Sequence, residues 1–143
     1  MKRVDTVPVD GTSAWHLDLR YERELCGGVA MAIVVRGDGP VIAAAAGSYG
    51  ERYEIDDQAV RQALEAHPRP EIVWLDNGRL EPDLDGLPFA LRRPCPGRML
   101  GRIECAWRRL DDFLRDPTPV EDIAHLRRCL AVFVETELEA AHA

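Results

Sequence analysis

Ile72-Val73-Trp74-Leu75-Asp76-Asn77-Gly78 is the stretch on which the fold turns. Glu71 to Leu75 is a short apolar run suited to a buried strand, and the pattern before it is helical, as in a crossover connection. Asp76 closes the run and is followed at once by Asn77-Gly78, residues that tolerate a tight left-handed turn. A carboxylate just past a strand end faces a cleft while its backbone stays anchored.

Upstream, residues 14 to 21 alternate around Trp15, Leu17, Leu19 and Tyr21, which predicts a strand carrying Asp18 on its opposite face. Val29 to Val35 is uniformly apolar and predicts a central strand. Arg36-Gly37-Asp38-Gly39-Pro40 is a turn, and Val41 to Ala46 returns as a third strand, giving a meander. Asp56 and Asp57 are placed to cap a helix that runs to about Ala66 with Ala59, Val60, Ala63 and Leu64 on its apolar face, until Pro68 and Pro70 stop it.

Downstream, the chain is irregular from Arg79 to Gly97, with one short strand at Leu87 to Arg92. A helix from about Arg98 to Leu114 aligns Leu100, Ile103, Trp107, Leu110 and Leu114, with Glu104 near the border of that face. A last helix, roughly Val120 to Ala140, buries Ile123, Leu126, Leu130, Val134 and Leu138. The order of elements predicts an α/β domain with a mixed sheet flanked by helices over residues 14–143, preceded by a leader at 1–13.

With 143 residues and 46% hydrophobic content, the chain can bury one core. No apolar run reaches eighteen residues and no secretory pattern opens the chain, so the expected location is cytoplasmic. Cys26, Cys95, Cys105 and Cys129 are scattered, without a close pair or zinc-finger spacing, and read as buried thiols. A net charge of −7 argues against broad attraction to DNA. Acids gathered round divalent ions add negative charge that the ions offset, however. Seventeen of the 18 basic residues are Arg, and Arg92, Arg93, Arg98, Arg102, Arg108 and Arg109 fall close to Glu104, where they form a local basic patch.

Two divalent ions roughly 4 Å apart activate the attacking oxygen and stabilise the leaving oxygen of a phosphodiester. Asp18, Asp76 and Glu104 would supply hard oxygen ligands from two strands and a helix. Their contexts are Trp15-His16-Leu17-Asp18, Ile72 to Gly78, and Pro96-Gly97-Arg98-Met99-Leu100-Gly101-Arg102-Ile103-Glu104. Taken in order over residues 14 to 135, these resemble the catalytic core of the DDE integrase and transposase family, retroviral integrases and insertion-sequence transposases, on a ribonuclease-H-like fold.

The resemblance implies DNA hydrolysis and strand transfer with Mg²⁺ or Mn²⁺, Asp18 and Asp76 holding both ions and Glu104 completing the second site. It also implies Arg98 and Arg102 as nucleic-acid contacts, a homodimer, and further DNA-binding regions or partner chains. Two departures stand out. Only 27 residues separate Asp76 from Glu104, fewer than the family usually has, and Lys2 is the only lysine. The alternative is an inactive integrase-like module serving protein assembly; a nuclease acting on RNA in a hybrid fits the Asp-Asn-Gly and Gly-x-x-Glu contexts less well.

The remaining polar residues read as structural. His16 shares the face of Asp18, His67 is a polar helix terminus, and His125 and His142 face solvent. Ser13 and Ser48 lack the nucleophile elbow. Glu51, Glu54, Asp56 and Asp57 form a solvated cap, and Trp74 and Trp107 belong to the core.

Overall fold

The predicted meander is present as β1 (Gly11–Glu22), β2 (Val29–Gly37) and β3 (Val41–Gly47), in a computed structural model that describes residues 8–75, 90–92, 97–115 and 119–142. A short 3-10 turn at Tyr49–Glu51 leads into α1 (Arg52–Ala66), followed by β4 (Ile72–Leu75), β5 (Ala90–Arg92), α2 (Gly97–Leu114) and α3 (Ile123–His142). Strand order is β3-β2-β1-β4-β5. The meander pairs antiparallel, whereas β4 joins β1 in parallel and β5 joins β4 in parallel. This mixed sheet follows from the connections: short turns allow antiparallel neighbours, and α1 supplies the crossover that a parallel pair needs.

Alternation along β1 and β2 divides the core in two. Met31, Ile33 and Val35 pack with Met99, Ile103, Leu110, Leu126 and Phe133 under α2 and α3. Trp15, Leu17, Ala32 and Val34 pack with Ile55, Ala59, Val60 and Ala63 under α1. Gly37 has no room for a side chain, since a Cβ would stand 2.6 Å from the Gly11 carbonyl oxygen and 2.8 Å from that of Val9. That close approach lays residues 9–11 along β2 and brings Asp10 to α2.

α1 begins at Arg52, earlier than Asp56 and Asp57 indicated. Glu51 stands at the N-cap of α1 without a side-chain cap bond, and its Oε1 accepts from the Ser48 hydroxyl at 2.9 Å to close the preceding 3-10 turn. Asp56 is instead 1% exposed within the helix, so it is no solvated cap. α3 starts on Asp122, whose Oδ1 accepts the His125 backbone N–H at 2.7 Å. His125 is half-buried, and its Nδ1 accepts from the Glu121 N–H, so it serves the helix start and does not simply face solvent. Cys105 is exposed and Cys26 and Cys129 are half-buried, against the expectation of buried thiols; Cys95 lies outside the described residues.

Side chains close the outer backbone of β3. Glu137 Oε1 accepts from the Val41 N–H at 3.1 Å, Gln62 Oε1 from the Ala44 N–H at 2.9 Å, and Arg127 Nε donates to the Ala46 carbonyl at 3.0 Å. No described helix is long and apolar enough to cross a membrane.

His67 ends α1, its backbone N–H bonded to the Ala63 carbonyl, and its Nε2 is buried without a hydrogen-bond partner among the described residues. Burial, then Arg36 and His142, lower its pKa below 6.5. The imidazole therefore stays neutral at a pH where the unfolded chain already binds a proton, and stability falls as pH drops through about 6.5 towards the lowered value. In urea melts at pH 7.5 and 5.5, His67→Gln is expected to lose less stability than wild type on acidification. Equal losses would remove His67 from this pH dependence.

Candidate functional site

Asp18 sits on the α2 side of β1, on the face it shares with His16, Arg20 and Glu22. β1 is central in the sheet, and β4 pairs along it up to Leu17↔Leu75. Asp18 therefore lies one residue beyond the last described pair of β1 and β4. Asp76 follows Leu75 directly in the chain and lies outside the described residues.

α2 meets this face through Trp107, only 7% exposed, whose Nε1–H donates to Asp18 Oδ2 at 2.6 Å. The Arg20 guanidinium lies 4.3 Å from the centroid of the same indole. Arg20 is held by Asp111, one turn further along α2, through two hydrogen bonds. It also ion-pairs with Glu22, although its Nε is not aligned for a hydrogen bond. Two residues of β1 are thus joined to two of α2, each through a polar contact, at the border of the apolar core. The core reading of Trp107 is correct, but its N–H has a definite partner on the candidate site.

Glu104 lies one helical turn before Trp107, about 60° round the axis from it, and is exposed. Among the described residues, no group of three or more His, Cys, Asp or Glu is gathered as a metal site. The donor chemistry nevertheless fits Mg²⁺ or Mn²⁺: both side chains offer hard oxygens, and Asp18 has one oxygen tied to an N–H donor, as ligand carboxylates usually do. His16 is 1% exposed on the same face, a core position. Asp56 belongs to the α1 side of the sheet, so the acidic cluster does not extend this site.

The arginines divide into three groups. Arg98 and Arg102 converge on Asp10, Arg98 Nε at 3.1 Å from Oδ2 and Arg102 Nη2 on Oδ1. Hydrogen bonding from Arg102 is the largest influence on Asp10 and holds its pKa below 3.8, so the carboxylate is charged at neutral pH. Arg109 is committed to Glu137, donating from Nε at 3.0 Å and from Nη2 at 2.7 Å. Arg108, exposed four residues after Glu104, makes no hydrogen bond or ion pair among the described residues. Sequence proximity to Glu104 selected Arg98 and Arg102; the helical period, which puts i and i+4 on one face, would have selected Arg108.

Neither a family model nor a curated protein matches the chain. Among solved structures it is similar to a chain of the cryo-EM structure of the simian T-cell lymphotropic virus intasome in complex with PP2A regulatory subunit B56 gamma. The identity is 16% and the TM-score 0.67, over 91% of this chain and 49% of that one, so the chain spans about half the length of its structural neighbour. With its mixed sheet, parallel β1–β4 pair and helices on both faces, the chain has a ribonuclease-H-like α/β fold.

Proposed function

We propose that the chain is a DNA polynucleotidyl transferase core in which Asp18, Asp76 and Glu104 hold Mg²⁺ or Mn²⁺. The observation that carries this reading is the position of Asp18, mid-sheet beside the end of β4 and bonded to α2 one turn from Glu104. Bound divalent ions supply the acidity that activates an attacking oxygen and offset the charge of the leaving one. The protein contributes rigidity: Asp18 is fixed by a strand and an indole, and Glu104 by α2. Arg108 on the exposed side of Glu104 is the guanidinium best placed for a DNA phosphate. The similarity to a chain of an intasome complex supports a working assembly with further chains, and DNA as substrate and a homodimer are part of this proposal.

The test is nicking of supercoiled plasmid, and joining of a short duplex to it, with Mn²⁺ or with EDTA. Metal-dependent product that Asp76→Asn removes supports the reading. No product under any metal, or equal product from Asp76→Asn, overturns it.

Asp10 bears on the DNA interface, because its carboxylate takes the place a phosphate would occupy on Arg98 and Arg102. Asp10→Asn should release both guanidinium groups. Binding to a short duplex is expected to tighten, and the salt dependence to steepen by about 1 to 2 in log–log slope, roughly 0.9 per added phosphate contact. Weaker or unchanged binding would remove these two arginines from the interface.

One observation favours an assembly module instead. A mostly apolar groove of about 320 Å³ lies between the end of α2 and the start of α3, where Phe113, Leu114, Val120, Cys129 and Val132 line it together with the polar His125 and Arg128. Val132 is 51% exposed beside it. On that reading Asp76→Asn leaves every measurable property of the assembly intact.

A further inference from the structure

Trp107 ties Asp18 to α2 through a hydrogen bond, and it is an unusual choice for that place. An indole has one donor and no acceptor, so at a carboxylate it can occupy one oxygen and nothing else. At 2.6 Å from Nε1, Oδ2 is held firmly. The ring itself is 7% exposed and packed with Met99, Ile103 and Leu110, which fixes the direction of its N–H. Over its face stands Arg20, 4.3 Å from the centroid and anchored by Asp111. A cation there draws on the π-electrons and strengthens the N–H as a donor.

We infer that Trp107 is a positioning residue for Asp18, locking Oδ2 so that the carboxylate presents a fixed geometry to a divalent ion, and that Arg20 reinforces it from above the face of the indole. This rests on the reading of Asp18 as an ion ligand. Outer partners of this kind change metal affinity by about 10- to 100-fold when removed. The arrangement also gives the charged pair of Arg20 and Asp111 a role at the border of the apolar core: it holds a cation over the ring.

The chain has three tryptophans, hence three indole N–H signals in a nitrogen–proton correlation spectrum of the full-length protein. One signal should move upfield in Asp18→Asn, because a neutral amide is a weaker acceptor than a carboxylate. Mn²⁺ should broaden that same signal ahead of the other two in wild type. Measured by the electron-spin signal of free Mn²⁺, affinity should fall about 10-fold in Trp107→Phe. It should fall about 2- to 5-fold in Arg20→Gln, which leaves the indole in place and keeps the test informative if Trp107→Phe does not fold.

The outcomes separate the two ideas. Wild type with no Mn²⁺ binding that depends on Asp18 overturns the ion reading and this inference with it. Binding that depends on Asp18 but is equally tight, or tighter, in Trp107→Phe overturns the positioning role alone. With Trp107→Phe unfolded, unchanged affinity in Arg20→Gln together with three unmoved indole signals in Asp18→Asn does the same.

Discussion

Asp18→Asn is expected to reduce metal-dependent nicking by at least about 100-fold, since loss of even an outer partner of a metal site costs about 10- to 100-fold and a ligand costs more, while the protein melts within a few degrees of wild type. The separation of activity from stability follows from local geometry. Asparagine has the same shape, and its amide oxygen still accepts the Trp107 N–H, so the link between β1 and α2 is weakened and not broken. What disappears is the negative charge and one hard oxygen ligand. The measurement is initial nicking rate alongside a thermal melt. A folded Asp18→Asn variant with the wild-type rate would exclude Asp18 from the chemistry. A variant that fails to fold would assign Asp18 to stability.

The largest effect on stability is expected from Arg109→Met. Glu137 of α3 is 9% exposed and receives Arg109 from α2 as well as the Val41 N–H at the start of β3. Arg109 Nη2 also donates to the Gly39 carbonyl, so one guanidinium joins both C-terminal helices to the β2–β3 turn. Breaking a buried pair by removing one partner costs about 3–5 kcal/mol. Because the Arg109 side chain is 43% exposed, solvent screening reduces this to roughly 2–3 kcal/mol, a fall in Tm on the order of 10 °C. Adding Glu137→Gln to the same variant should recover most of that loss, since the amide still accepts from Val41 and no charge is left buried. A single variant melting within about 2 °C of wild type would show that the carboxylate finds water instead.

Most of the fold was legible because its strands are marked by composition and by turns. Val29 to Val35 has no polar interruption, Arg36 to Pro40 admits only a reversal, and Ile72 to Leu75 is too short and too apolar for anything but a covered strand. Helix faces were readable from the spacing of Ile103, Trp107 and Leu110. The start of α1 was not, because Asp56 has the chemistry of a cap and only tertiary packing shows it turned inward. Of the site, the strand position of Asp18 and the helix position of Glu104 followed from pattern. The partner of Asp18 did not, since a tryptophan 89 positions away, read correctly as core, gives no sign that its N–H meets a carboxylate. Nor does sequence spacing reveal that Asp10 folds back on Arg98 and Arg102, or that Arg109 is consumed by Glu137.

The three side chains along β3 have a consequence for self-association. β3 is a sheet margin made of Val41-Ile42-Ala43-Ala44-Ala45-Ala46-Gly47, apolar and short of charge, the composition that invites another chain to add a strand. Glu137, Gln62 and Arg127 occupy the hydrogen-bonding positions that an incoming strand would need. Strand addition along β3 is therefore blocked by side chains of three residues, and Gln62→Ala with Arg127→Ala should open that margin, seen as growth of scattering particles that wild type does not show under the same conditions.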